Sequence, residues 1–334
     1  KVIQDAFEQN ITHAPGMEHV REMVTGPIIP TPGAVMECTK LLYEYLGDLI
    51  VLDVGGATTD LHSVTVESDQ VARLMISPEP KAKRTVEGDL GVYVNRWKVV
   101  ESIGEEKLRE QCREQGFSME HALETYRAIP KTEEEVKLVE LLTREAVVKA
   151  AERHAGRLRY IYGPSGRSTV AEGKDLTQVK YIVGTGGALT RLPHREEIMR
   201  EITRCNESGM LLLPGEHAQI LVDHDYIMAS LGVLSKRYPQ AAARLLEQSL
   251  GITFPERKAE EPVPVCNKEL SRLETQRQQR EEELQRHIEE CEAMGYDMSA
   301  YRENKPKAGD CSHECSRCTR LHCPNRTTQE GASS

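Results

Sequence analysis

The sequence predicts an α/β fold in which apolar strands run into glycine-rich turns and then into helices. The run Leu49 to Val54 is apolar and β-branched, and it leads directly into "GGATTD". A second apolar run, Val179 to Val183, leads into "GTGGAL". Between them, residues 86 to 160 repeat apolar positions at close to helical spacing. Strand and helix patterns that alternate in this way indicate an α/β domain.

The first 46 residues have the pattern of a helix, a turn and a second helix. The break falls at "TGPIIPTPG", where three prolines remove backbone donors and fix φ. The chain starts at Lys1, already inside a helical pattern. We therefore expect residues 1–46 to be a helical lead-in from an N-terminal domain that this sequence lacks.

Residues 47–254 are expected to form the main domain. Leu49 to Val54 and Leu61 to Val66 predict two antiparallel strands joined by the glycine loop. A third strand is predicted at Val71 to Ile76. Further along, "VKYIVGTGGALTRLP" predicts a strand, a glycine turn and a helix, and "AQILVDHDYIMASLGVLSKRY" a strand, a loop and a buried helix.

The composition changes after about residue 255. Residues 255–295 predict a linker followed by a charged helix, with Glu and Arg at three- and four-residue spacing. Residues 296–334 are expected to form a Cys-rich tail. The fold class is therefore α/β with a helical C-terminal extension.

Composition and charge narrow the possible functions. The 334 residues are 39% hydrophobic and 29% charged, as in a globular protein. A net charge of -10 argues against nucleic-acid binding, which needs cations to neutralise phosphates. No apolar run approaches the length of a membrane span, so we expect a cytoplasmic protein with no membrane partner. The nine cysteines, five of them scattered along the chain, predict reduced thiols.

The loop after the first strand, "DVGGATTD", is the strongest functional signal. Glycines let the backbone turn tightly and present N–H groups to an anion, and the threonines add hydroxyl donors. Either flanking Asp would suit Mg²⁺ through its waters. The alternative is a plain β-hairpin turn. The candidate phosphate-binding residues are Asp53, Gly55, Gly56, Ala57, Thr58, Thr59 and Asp60.

The turn after the second strand is a weaker signal taken alone. Its small residues would allow a flat ligand to approach the backbone, and a helix N-terminus follows. Because no Lys follows the glycines, it is not a P-loop. The candidate residues are Gly184, Thr185, Gly186 and Gly187.

Several other residues have both functional and structural interpretations. Glu87 and Asp89 either contact a nucleotide or Mg²⁺, or lie in the first turn of a helix. His62 fits a strand residue in polar surroundings better than a catalytic base. The "DHD" at 223–225 fits helix capping better than metal binding.

Four cysteines lie close together near the C-terminus, in "CSHECSRCTRLHC". At such spacings thiolates can wrap one tetrahedral ion, with zinc favoured over an iron–sulfur cluster. Unliganded tail cysteines are the alternative. The candidate ligands are Cys311, Cys315, Cys318 and Cys323.

Taken in order, the motifs resemble those of the glutamate mutase L (GlmL/MutL) family within the actin-like ATPase superfamily. The matching segments are "PTPGAV", "LIVLDVGGATTDLHSV", "RTVEGDLGVYVN", "IVGTGGAL" and "LVDHDYIMASLGVLS", and the resemblance covers residues 1 to about 250.

The resemblance implies an actin-like (ribonuclease H-like) domain, of which this chain carries the second half. The "DVGGATTD" loop would hold the phosphates of ATP with Mg²⁺, and the "GTGGAL" loop would support the adenosine. It further implies a reactivating chaperone for an adenosylcobalamin-dependent mutase, acting in glutamate or ornithine breakdown, with the mutase subunits as partners.

The superfamily's first phosphate loop is missing from the sequence, so ATP hydrolysis would require that loop from an upstream domain. A small-molecule kinase of the same superfamily and a non-catalytic binding or scaffold module are the alternatives. The sequence leaves the oligomeric state open.

Overall fold

The computed structural model describes residues 28–163, 166–206 and 208–255, together with Met17, Val24 and Arg286. The strands in these residues are β1 (Leu49–Val54), β2 (Thr59–Val64), β3 (Ala82–Glu87), β4 (Arg157–Gly163), β5 (Gly166–Glu172), β6 (Tyr181–Thr185) and β7 (Gln219–Val222).

The helices fall before, between and after these strands. They are α1 (Thr31–Leu46), α2 (Asp69–Ala72), α3 (Arg96–Ile103), α4 (Glu105–Glu114), α5 (Met119–Glu124), α6 (Glu133–His154), α7 (Gly186–Arg191), α8 (Arg195–Arg200), α9 (Met228–Ser235) and α10 (Pro239–Leu250). A 3-10 turn at Glu201–Thr203 follows α8.

Five strands form one mixed sheet in the order β3-β2-β1-β6-β7. β1, β2 and β3 form an antiparallel meander, while β6 is parallel to both β1 and β7. The carboxyl ends of β1, β6 and β7 therefore lie at the same edge of the sheet, which is where ligands bind in open α/β sheets.

Alternation along the strands sends apolar side chains to both faces of the sheet. In β1, Ile50, Leu52 and Val54 pack against the layer that contains α3 to α8. Leu49 and Val51 pack on the other face, against α1, α9 and α10. Because both faces are covered, the central strands are continuously apolar, as a fully buried strand requires.

Helices α1 and α9 make an unusually close contact. The Cβ that Gly232 lacks would lie 1.8 Å from the carbonyl oxygen of Ala34 and 3.2 Å from the backbone nitrogen of Cys38. Only a glycine lets α9 approach the α1 backbone so closely. This contact holds α1 against the sheet next to β1.

Strands β4 and β5 form a separate two-stranded ribbon. Most of its side chains are exposed, including Tyr160, Ile161 and Tyr162. Residues 86 to 160 were predicted to be mainly helical, so this hairpin was not predicted.

The predicted order of elements agrees with the structure around the glycine loops. The antiparallel β1–β2 pair, the strand before "GTGGAL" and the β7–loop–α9 unit are all confirmed. The α1 helix starts at Thr31, with Pro32 in its first turn, within the proline-rich segment that was predicted to separate the first two helices.

The predicted third strand at Val71 to Ile76 is wrong. Ser68 caps the short helix α2, and Val71 packs with Ala171 and Leu212 in a small cluster beside the main core. The third strand is instead β3, "AKRTVE". As a polar edge strand it lacks the apolar alternation from which strands are predicted.

The described part of the chain contains no helix that is both long enough and apolar enough to cross a membrane. The predicted linker and charged helix at 255–295 and the Cys-rich tail at 296–334 lie outside the described residues, apart from Pro255 and Arg286.

We expect the substitution Gly232→Ala to destabilise the protein by about 1–3 kcal/mol, because the added methyl group would overlap the α1 backbone. Urea unfolding monitored by circular dichroism measures the change. Gly88→Ala is the matched control, since a Cβ there meets nothing within 4 Å. Equal stability of Gly232→Ala and the parent would contradict this account of the helix contact.

Candidate functional site

The first glycine turn joins β1 to β2 with a narrow hairpin. The backbone N–H of Gly55 donates to the carbonyl of Thr58 over 2.9 Å. Asp53, one residue before the end of β1, and Asp60, one residue after the start of β2, are cross-strand partners. The turn thus places two carboxylates opposite each other on one face of the sheet, and Gly56 and Ala57 at its exposed tip.

Residues 88–95, which we call the strap, form hydrogen bonds with the backbone of the first turn. The Gly55 carbonyl accepts from the N–H of Val92 over 3.2 Å. The Gly56 carbonyl accepts from the N–H groups of Tyr93 and Val94, over 2.9 and 2.7 Å. The strap therefore satisfies the backbone carbonyls of Gly55 and Gly56 with hydrogen bonds.

The side chain of Asn95 and the close approach of Gly91 also hold the strap against the turn. The Asn95 amide donates to the carbonyl of Ala57 over 2.7 Å and to that of Gly88 over 2.7 Å. A Cβ on Gly91 would lie 2.2 Å from the backbone of Ala57, so the strap can approach the turn only with glycine at that position.

Because the carbonyls face the strap, the amides of the turn remain available. No hydrogen bond joins the N–H groups of Gly56, Ala57 and Thr58 to another residue of the described part. Successive free N–H groups in an exposed turn form a concave site of positive potential, suited to an anion.

The two threonines of the turn differ in role. Thr59 is fully buried, and its hydroxyl donates to the carbonyl of Leu90 in the strap over 2.8 Å. Thr58 is only partly buried. Of the two hydroxyls predicted to contact a ligand, the one on Thr59 is therefore already bonded to the backbone.

The second glycine turn lies directly beside the first. Gly186 has φ of 86°, which favours glycine. Its missing Cβ would lie 2.5 Å from the carbonyl oxygen of Val54 and 2.6 Å from a carboxylate oxygen of Asp53. Around Gly187 there is open space instead. The fold thus brings together the two turns, which are about 130 residues apart in sequence.

The environment of Asp53 and Asp60 disfavours the ionised form of both carboxyl groups. Burial, together with the negative charge of Asp223, raises the pKa of Asp53 to about 6. Burial raises the pKa of Asp60 to about 6 as well, with Asp53 and Glu87 adding to the shift and Arg84 opposing it. One oxygen of Asp60 has no hydrogen-bond partner in the described part. Two such carboxylates would gain by sharing a cation.

Asp223 at the end of β7 has a structural role. One of its oxygens accepts from the hydroxyl of Thr185 over 2.8 Å and from the N–H of Met228 over 3.0 Å. The other accepts from the hydroxyl of Ser249 over 2.6 Å and from the N–H of Ile227 over 3.2 Å. The prediction of helix capping is confirmed for Asp223, which satisfies N–H groups at the start of α9.

Glu87 and Asp89 both bind the guanidinium of Arg153. One nitrogen of Arg153 donates to Glu87 over 2.7 Å and to Asp89 over 2.8 Å, and the other donates to Asp89 over 2.8 Å. Neither acid lies in the first turn of a helix: Glu87 ends β3, and Asp89 belongs to the strap. Both therefore anchor the strap to α6.

His62 is a strand residue, as expected, but it is fully buried. Neither ring nitrogen has a hydrogen-bond partner in the described part. Burial lowers its pKa to about 3, and the Arg84 charge adds to the effect. The ring is neutral at physiological pH.

Sequence reasoning missed the residues that support the first turn. In the segment "EGDLGVYVN" only Glu87 and Asp89 were predicted to have a role, although Gly91 and Asn95 hold the turn and Arg153 holds the two acids. A glycine followed by an Asn after a strand was the available signal, but it does not reveal its distant partner.

Metal binding by the C-terminal cysteines remains a prediction, because Cys311, Cys315, Cys318 and Cys323 lie outside the described residues. In the part that the structure describes, no group of three or more His, Cys, Asp or Glu side chains is arranged to hold a metal ion. Cys38, Cys112 and Cys205 are free thiols.

The fold and site define an α/β protein whose mixed sheet presents two adjoining glycine turns at one edge. Residues 1–250 match the MutL protein family. Protein MutL of Clostridium tetanomorphum is 34% identical over 260 residues, which cover 74% of this chain and 56% of that relative. The chain belongs to the MutL family, which confirms the resemblance drawn from the motifs. It spans little more than half the length of this relative.

We expect the substitution Asp60→Asn to stabilise the protein above pH 6, by about 1–3 kcal/mol. The folded state holds the Asp60 proton up to a pKa of about 6, against an ordinary value of 3.8. Folded protein therefore binds more protons than unfolded protein between these values, and this residue's contribution to stability falls as pH rises through that window. Because Asn has no ionisable carboxyl group, the Asp60→Asn variant does not lose stability in this way as the pH rises.

Urea unfolding of the parent and the variant at pH 7.5 and pH 4 tests this expectation. The stability difference should shrink at pH 4, where the carboxyl of the parent is protonated in the folded state. Buried His62 is present in both proteins, so its opposite pH dependence cancels in the comparison. A difference that is constant with pH would refute the assigned cause. Asp69→Asn, on the exposed start of α2, is the control.

Proposed function

We propose that this chain is the nucleotide-binding part of an actin-like ATPase that serves an adenosylcobalamin-dependent mutase. One observation carries the proposal: in the turn after β1, the N–H groups of Gly56, Ala57 and Thr58 have no partner among the described residues, and the turn lies between Asp53 and Asp60 in the chain. The ligand that suits free amides together with carboxylates is a phosphate chain with its Mg²⁺.

The position of the turns in the fold supports this choice. Both lie at the carboxyl ends of parallel strands, and Gly186 brings the second turn against the end of β1. A ligand that spans both turns would have its phosphates on the first and its nucleoside at the open space around Gly187. This arrangement is compatible with the actin-like (ribonuclease H-like) fold that the family resemblance implies.

The charges of the site fit a magnesium nucleotide rather than a free anion. Asp53 and Asp60 would repel an uncompensated phosphate. With Mg²⁺ bound to the phosphates, the carboxylates would instead hold the waters of the ion, and their shared negative charge would be neutralised. The cation supplies charge neutralisation, and the chain supplies a fixed turn and two carboxylates.

The biological role that we propose rests on family membership. It is the role of a reactivating chaperone that uses nucleotide binding to drive conformational exchange on a mutase of glutamate or ornithine breakdown. The mutase subunits would be the partners, in the cytoplasm. Since the chain spans 56% of its MutL relative, the remaining catalytic groups would come from the rest of the protein.

Calorimetric titration with Mg-ATP is the direct test of the nucleotide site. We expect binding by the parent chain, and affinity at least about tenfold lower for Asp53→Asn, because the variant removes one negative charge from the cation's surroundings. Asp69→Asn should bind like the parent. Affinity should also fall below pH 6, where protons compete for Asp53 and Asp60.

The single tryptophan offers a second readout in the same titration. Trp97 is 54% exposed at the start of α3, just after the strap. A ligand on the first turn should change its fluorescence at the same concentration as the calorimetric signal. Lack of Mg-ATP binding would overturn the nucleotide proposal and favour a scaffold role. Binding that ignores Asp53→Asn would place the ligand elsewhere.

A further inference from the structure

Tyr226 has a backbone conformation that is unusual for its residue type. Its φ is 55°, and among the described residues it is the only one other than glycine with a positive φ. Bulky side chains rarely occupy this region, and where they do the surrounding structure must enforce it. Residues strained in this way are concentrated in ligand-binding and catalytic sites.

The backbone around Tyr226 is fixed from both sides. The N–H of Tyr226 donates to the carbonyl of Asp223 over 3.2 Å, and the N–H of Asp225 donates to the hydroxyl of Ser249 over 3.1 Å. Just after it, the N–H of Ile227 donates to the Asp223 carboxylate. These bonds hold the strained conformation in place.

The side chain itself makes no comparable contacts. The phenol is 51% exposed, and in the part that the structure describes it has neither a hydrogen bond nor a ring contact. The enforced backbone therefore holds an aromatic side chain whose hydroxyl is unused within the described fold.

The loop that carries Tyr226 is joined to the second glycine turn. The hydroxyl of Thr185, the residue before Gly186, donates to the carboxylate of Asp223 over 2.8 Å. The charges that act on the phenol are those of Asp53, Asp223 and Arg191. β7 also lies directly beside β6 in the sheet, so the loop after β7 is next to the Gly186 turn.

The same environment affects the protonation of the Tyr226 hydroxyl. Burial, followed by the charge of Asp53, raises the pKa of Tyr226, and Asp223 acts in the same direction against Arg191. A phenol keeps its proton at neutral pH in any case, and this shift acts in the same direction, so the hydroxyl is a hydrogen-bond donor.

We propose that Tyr226 is a ligand-binding residue whose hydroxyl donates to the phosphate chain of the nucleotide, and that its strained backbone serves to aim it there. The proposal rests on the nucleotide site proposed above. It adds a contact from the loop after β7, so that phosphate is bound both by the first turn and from across the second.

The test compares Mg-ATP affinity in the parent, Tyr226→Phe and Tyr238→Phe. Tyr238 is the matched control, because its ring is also 51% exposed but it lies next to the start of α10. We expect Tyr226→Phe to weaken Mg-ATP binding about tenfold through loss of one hydrogen bond to a charged group. Tyr238→Phe should leave the affinity unchanged.

Adenosine competition separates a phosphate contact from a nucleoside contact. Adenosine should displace Mg-ATP from Tyr226→Phe with the same inhibition constant as from the parent, since the lost bond is to phosphate. Weakening of both ligands alike would refute the assignment to the phosphate chain. Unchanged Mg-ATP affinity in Tyr226→Phe would overturn the inference alone, and no binding by the parent would overturn it together with the nucleotide proposal.

Tyr226→Gly tests the role of the strain. Glycine adopts the same φ without cost, so we expect a melting temperature higher by about 2–4 °C, together with weaker Mg-ATP binding. Higher stability with lost binding is the signature of strain kept for function. A lower melting temperature with unchanged binding would show that the residue serves only the fold.

Discussion

The closeness of Gly186 to the end of β1 is the constraint on which the site depends. A side chain there would collide with the backbone of Val54 and with the Asp53 carboxylate. Without one, the turn after β6 lies against the turn after β1, and the parallel pairing of these strands continues to Asp53 of β1 and Thr185 of β6. Two segments far apart in sequence thereby form one continuous surface.

The carboxylates at this edge of the sheet fall into two groups, one bonded within the fold and one available to a ligand. Asp223 is satisfied by hydroxyl and amide donors and ties β6, β7, α9 and α10 together. Among the described residues, no donor pairs with the carboxylates of Asp53 and Asp60. Burial raises the pKa of both, and the charge of Asp223 adds to the shift for Asp53 and that of Asp53 to the shift for Asp60. Keeping two carboxylates in that condition lowers the stability of the free protein, a pattern typical of binding sites.

The sequence was sufficient to predict what depends on local patterns. Apolar strands followed by glycines located β1, β6 and both turns, and proline located the start of α1. The strap, the Arg153 anchor and the β4–β5 ribbon escaped prediction because each depends on partners distant in sequence. The polar strand β3 escaped it because an edge strand needs no apolar alternation. The family follows from motif order, whereas the nucleotide site and the cysteine site remain predictions.

The strap fixes the first turn before a ligand binds to it. It holds the carbonyls of the first turn through backbone bonds and the Asn95 amide, so the outward-facing amides keep their direction when nothing is bound. A rigid receptor of this kind loses little conformational entropy on association. The turn would then act as a preformed cradle, and any large movement that accompanies binding would have to occur in whatever closes over it.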